Sequence, residues 1–130
     1  MAILTKACSM CDGVVTFTFG TMCRHGELYW SGGEICSECN HTIEFNGRSA
    51  PSDLRQIEIE QDGLFGLKCA KGVKLALFYQ IIRKYFGLSI NDIRKQAPNN
   101  RILYQGTKAE VDLIKHHSVT EGLVCEVVKL

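Results

Sequence analysis

The 130-residue chain contains no apolar run approaching the roughly 20 residues that a membrane-spanning helix requires. It has no low-complexity segment and no internal repeat. With 45% hydrophobic and 22% charged residues it is an ordinary globular chain rather than a disordered or fibrous one. Met1-Ala2-Ile3-Leu4-Thr5-Lys6 reaches the first cysteine before any apolar stretch long enough for a signal sequence, so a cytoplasmic protein with no membrane partner is the expectation. There is no Gly-rich phosphate loop, because Gly32-Gly33 belongs to the approach to a cysteine pair. His116-His117, with Glu110 and Asp112 upstream, has neither a nucleophile nor a substrate motif beside it. Adjacent histidines point in different directions on a helix, so a surface cap is the better reading and no enzymatic activity is expected.

The cysteine count is odd, seven, and fits reduced thiols and metal better than a disulfide framework. Four of them form two Cys-x-x-Cys pairs, Cys8/Cys11 and Cys36/Cys39, separated by 24 residues. Each pair offers two soft ligands from one tight turn, and two such knuckles complete a four-thiolate shell that suits tetrahedral zinc. A closed shell leaves no position for substrate water, so the expected Zn2+ is structural, holding together a section too small to bury a large core. A redox dithiol is the alternative use of the pairs. Cys23 with His25, or His41, could supply substitute ligands but would break the symmetry of two identical knuckles. Cys69 and Cys125 fall on expected strands, where thiols commonly act as small hydrophobes.

Between the knuckles, Val14-Val15-Thr16-Phe17-Thr18-Phe19 alternates like a strand, and Glu27-Leu28-Tyr29-Trp30 resumes after a turn region containing Gly20 and Gly26. A further short strand is expected near Thr42–Phe45. Residues 48–63 read as a joining segment with a possible short helix; Leu54 and Ile57 have helical spacing, whereas Ile57 and Ile59 alternate like a strand. From Leu64 the expected order is a strand to Cys69, a Lys71-Gly72 turn and a helix from about Val73 to Phe86 ended by Gly87. A short helix opened by Ser89 and Asp92 and stopped by Pro98 follows. A strand at Arg101–Tyr104, a helix opened by Thr107 and Glu110 and running to about His117, and a strand at Leu123–Val128 complete it. Leu75, Phe78 and Ile82 share the apolar face of the first of these helices.

Knuckle, strands, knuckle and strand over residues 1–47 resemble a zinc ribbon with Cys8, Cys11, Cys36 and Cys39 as ligands. Residues 64–130 carry Leu75-Ala76-Leu77-Phe78, Ile82-Arg83, Gly87-Leu88-Ser89-Ile90, Ala97-Pro98, Gly106-Thr107-Lys108-Ala109-Glu110 and Gly122-Leu123-Val124-Cys125-Glu126-Val127. This pattern resembles the C-terminal domain of the bacterial large-subunit ribosomal stalk protein. The two resemblances imply an α+β chain: a small β zinc ribbon followed by a β-α-α-β-α-β domain with a three-stranded antiparallel sheet. The stalk resemblance also implies that the first two helices recruit translational GTPases, with Arg83 and Arg94 matching two basic contact positions. Departures exist: Gln80 stands where the family usually has a lysine, and the second helix is about a turn shorter. A zinc module replaces the stalk protein's dimerisation region and hinge, so a monomer is expected. The same broad fold serves the adaptor that delivers substrates to Clp proteases, and fold alone does not fix function.

Charge divides along the chain. Residues 1–63 hold 4 basic and 9 acidic side chains, whereas residues 64–130 hold 11 and 5. The acidic first half disfavours nucleic-acid binding there, and Trp30, Tyr29, Phe17 and Phe19 read as core rather than as a base-stacking platform. In the second half Lys71, Lys74, Arg83, Lys84, Arg94 and Lys95 cluster around the first two helices, with Leu88 and Ile90 as anchors or as core. The candidate partner-binding residues are Arg83, Lys84, Arg94, Lys74 and Leu88. Their expected partner is a protein, the ribosome or elongation factors by resemblance; the alternative is a nucleic acid gripped through the same basic face.

Overall fold

The computed structural model describes residues 1–70, 74–96 and 101–130. Lys71-Gly72, the helix start at Val73, and Ala97-Pro98 lie outside these residues. The first half forms a four-stranded antiparallel sheet in the order β1 (Ala2–Ala7), β2 (Val14–Arg24), β3 (Glu27–Cys36), β4 (Thr42–Gly47). Val15, Phe17 and Phe19 alternate inward on β2, as the period-two pattern requires, and are buried. Strand β1 was not evident from the sequence, being short and without a clear apolar–polar alternation. It is held by its register on β2, from Ala2 opposite Phe19 to Ala7 opposite Val14. Gly20, expected in the turn, lies inside β2 opposite Ser31. The turn is instead made by His25 and Gly26, with φ of 53° and 72°. Two successive left-handed residues match the right-handed twist of a tight hairpin, so both strands run longer than their sequence suggests.

Helix α1 (Ser52–Asp62) packs on β1 and β2, and Leu54 and Ile57 close the small core around Ala2, Phe17 and Phe19. That packing decides the helix–strand ambiguity of this segment in favour of helix. Trp30 joins the same core, whereas Tyr29 points to the other face under Arg48, 5.0 Å from its ring centre.

The second half runs β5 (Phe65–Cys69), α2 (Leu75–Phe86), α3 (Ile90–Gln96), β6 (Ile102–Gly106), α4 (Lys108–Thr120) and β7 (Cys125–Lys129), with an antiparallel sheet ordered β6-β5-β7. Local chemistry accounts for the boundaries. Gly87 closes α2 in the left-handed conformation. Ser89 and Asp92 exchange side-chain and backbone bonds at the start of α3. Thr107 and Glu110 form the reciprocal capping box of α4, which continues to Thr120, beyond the expected end at His117. Leu67, Phe78, Ile82, Ile93, Leu103, Val111 and Ile114 form the main core. Leu75, grouped with Phe78 and Ile82 by periodicity, lies in the first turn of α2 and is 38% exposed. Helix α4 packs on β5, β6, β7 and α2, and also on β2 and β3, so one helix serves both sheets. Among the described residues no helix is long and apolar enough to cross a membrane.

Candidate functional site

The two Cys-x-x-Cys turns lie at one end of the first sheet, after β1 and after β3, where Val15 pairs with Cys36. The sulfurs of Cys8, Cys11, Cys36 and Cys39 all lie within 4.8 Å of one another. Cys8 and Cys39 are 3.8 Å apart, and Cys11 and Cys36 3.6 Å. A tetrahedral site with Zn–S bonds of about 2.3 Å has sulfur–sulfur edges of about 3.8 Å, so the donor set and its spacing fit a soft divalent ion.

The two knuckles repeat one another in their backbone. Cys8 N–H donates to the Gly13 carbonyl at 3.0 Å, and Cys36 N–H to the His41 carbonyl at 2.9 Å. The sulfurs accept backbone N–H groups two residues on: Met10 at 3.4 Å to Cys8, Gly13 at 3.2 Å to Cys11, Glu38 to Cys36 and His41 to Cys39. Such donors favour thiolate. Asn40 holds φ 58° just after the second pair, a left-handed position that asparagine tolerates. Gly13 makes room between the knuckles: a Cβ there would lie 2.5 Å from Glu38 Cγ and 2.8 Å from Glu38 Cβ.

These donors act unequally on the four thiols. The N–H of Cys39, aided by that of Glu38 and opposed by burial, holds Cys36 down at about 7. At Cys11 the Gly13 N–H is outweighed by the Cys36 thiol, burial and the thiols of Cys39 and Cys8, which together push it up to about 12. Cys39 is also raised: the His41 N–H lowers it, but burial and the neighbouring Cys36 and Cys8 thiols prevail. Sulfurs this close cannot all ionise without a cation among them, and a divalent ion held there would supply that charge. Cys23 and His25 lie at the opposite end of the β2–β3 hairpin, whereas His41 adjoins the second knuckle through its backbone but is not one of the four grouped ligands. His41 instead lies 3.6 Å from the buried Glu34, which pairs with Lys6 at 2.6 Å.

A second polar cluster, not foreseen from the sequence, joins the two halves. Arg55 on α1 makes a bidentate pair with Glu110 on α4, at 2.7 and 2.8 Å. Bonding to Glu110 raises the Arg55 guanidinium above its ordinary value against the cost of burial. Burial, with the Glu110 charge, raises the Tyr104 phenol. Buried Glu58 accepts from the N–H and hydroxyl of Thr21 on β2 at 3.2 and 2.8 Å. His117 Nε2 meets the Gly26 carbonyl at 2.9 Å, and Tyr85 stacks on the same ring at 4.3 Å. Glycine suits this position, since φ is 72° and a Cβ would lie a tight 3.0 Å from the His116 ring. The histidine pair thus holds the hairpin turn. Only the capping role of Glu110 was written in local spacing; its partner is 55 residues away.

Of the candidate docking residues, Arg83, Lys84 and Leu88 line one open depression of about 530 Å3 at the α2–α3 corner, with Gln80, Gly87 and Ser89. Arg83 and Lys84 are exposed, while Leu88 is half-buried and packs against the main core. Lys74, just before α2, and Arg94 on α3 are exposed and do not line it. Among the described residues Lys74, Arg83, Lys84 and Arg94 take part in no ion pair.

No family model, curated protein or solved structure matches this chain.

Proposed function

We propose that this is a non-enzymatic docking protein in which a structural zinc, held by Cys8, Cys11, Cys36 and Cys39, stabilises the first sheet, and the α2–α3 corner binds an acidic protein surface. The observation that carries it is the corner itself, where Arg83 and Lys84 line the depression with a half-buried Leu88, and they and Arg94 on the adjoining α3 are exposed with no ion pair among the described residues. Cations that make no ion pair, set around an apolar contact, give orientation through charge and affinity through burial. Four thiolates complete the zinc shell and leave it no catalytic position, which agrees with a scaffold role. The stalk-protein resemblance of residues 64–130 makes the ribosome or a translational GTPase the partner of choice.

The test is direct binding of the zinc-loaded protein to ribosomes and to purified elongation factors, with and without the Arg83→Glu/Arg94→Glu pair. The reading expects binding that the double variant loses while its unfolding midpoint is unchanged. Binding retained by the variant would sink it. Binding to free RNA or DNA instead, falling steeply with salt, would make a nucleic acid the partner.

A further inference from the structure

Two cysteines outside the metal cluster face one another across the second sheet. Cys69, on the central strand β5, pairs in register with Cys125 on the edge strand β7. The type of pair follows from the hydrogen-bond ladder. Leu130 N–H donates to the carbonyl of Leu64 directly opposite, at 2.8 Å, which makes that pair hydrogen-bonded. The pairs alternate along an antiparallel ladder, so Gly66–Val128 and Lys68–Glu126 are hydrogen-bonded, and Cys69–Cys125 is not.

Non-hydrogen-bonded pairs bring their Cα atoms to about 4.5 Å and their side chains onto the same face, within the range of about 4.4–6.8 Å that a disulfide spans. Cys69 is 5% exposed and Cys125 half-buried, so one sulfur can be reached from solvent while the other waits beneath it. Burial raises both thiols. The Lys115 charge and the neighbouring Ser118 hydroxyl draw Cys125 part of the way back toward thiolate. The pair is therefore slow to react, because the thiolate is the nucleophile.

We propose that Cys69 and Cys125 form a reversible modification site, a cross-strand disulfide made by hydroperoxide oxidation, independent of the metal cluster. The Cys125 thiolate attacks a peroxide oxygen, the O–O bond breaks, and Cys125 becomes a sulfenic acid as hydroxide leaves and takes up the thiol proton as water. Cys69 then attacks the sulfenic sulfur; the S–S bond forms, the S–O bond breaks, and the second hydroxide leaves with the Cys69 proton as water. Two thiols lose two electrons and the peroxide gains them. The product ties the edge strand to the centre of the sheet and closes a long loop, so it constrains the unfolded chain.

The zinc-loaded full chain is treated with hydrogen peroxide, free thiols are alkylated, and proteolytic peptides are mapped by mass spectrometry. Met10, 70% exposed, reports the oxidant dose through its sulfoxide. The proposal expects a Cys69–Cys125 linked peptide that dithiothreitol dissolves, and an upward shift of the urea midpoint that Cys125→Ser abolishes. Full alkylation of both thiols after Met10 has become sulfoxide would overturn it. So would Cys125 recovered as sulfinic or sulfonic acid with Cys69 still free.

Discussion

Replacing Glu110 by alanine removes a side chain that both ties the two halves together and caps α4. Its carboxylate takes two charge-assisted bonds from Arg55 and one backbone bond from Thr107 at 3.0 Å. Glu110 is 7% exposed, and the Arg55 side chain 35%. Breaking a buried pair by deleting one partner costs about 3–5 kcal/mol; the partly wet Arg55 places this one at the lower end. Loss of the cap bond is worth about 1 kcal/mol more, though groups in one network do not add fully. A loss of about 3–4 kcal/mol is expected, a fall in urea midpoint of roughly 2 M for a slope near 2 kcal/mol/M. Glu110→Gln keeps the cap bond and the volume but loses the charge, so it should cost roughly half as much. The double cycle with Arg55→Met should give a coupling above about 1 kcal/mol. A loss below about 1 kcal/mol for Glu110→Ala, or equal losses for alanine and glutamine, would refute this account of the junction.

Gly13→Ala forces its Cβ against Glu38 and should spread the knuckles; zinc affinity, read by chelator competition, should fall roughly tenfold, or about 1.4 kcal/mol. Zinc displaces thiol protons, so its affinity falls as pH falls. Cys36 is held at about 7 and gains a proton below that point, so protons released per zinc should rise as the buffer is taken from about pH 8 to about pH 6, measured by calorimetry in buffers of different ionisation enthalpy. A flat proton count would contradict the arrangement of N–H donors at Cys36. The Arg83→Glu/Arg94→Glu pair, on exposed sites with no ion partner among the described residues, should shift stability by less than about 0.5 kcal/mol per site in urea unfolding.

Features with local chemistry were legible in the sequence. The two capping boxes, the glycine closing α2 and the spacing of the cysteine pairs each involve residues within one turn, and each marks a structural boundary or a ligand pair. What was not legible depends on distant chain. Strand β1 exists because β2 offers it a partner. The α1 segment is helical because Leu54 and Ile57 meet Phe17 and Phe19. Glu110 reads only as a helix cap, and nothing marks Arg55 as its partner, until the fold places α1 beside α4; His116-His117 looks like a surface cap until the hairpin turn reaches it. Periodicity reports how a segment distributes its own apolar residues; it carries no information about which segment arrives opposite.

The most direct test of the central claim is the metal content of the full chain purified without added metal, read by native mass spectrometry and followed by cobalt(II) exchange. One zinc per chain, a tetrahedral thiolate spectrum with cobalt, and loss of both in Cys36→Ser are predicted. A metal-free protein that folds identically with and without chelator would contradict the claim that these four cysteines hold a structural ion.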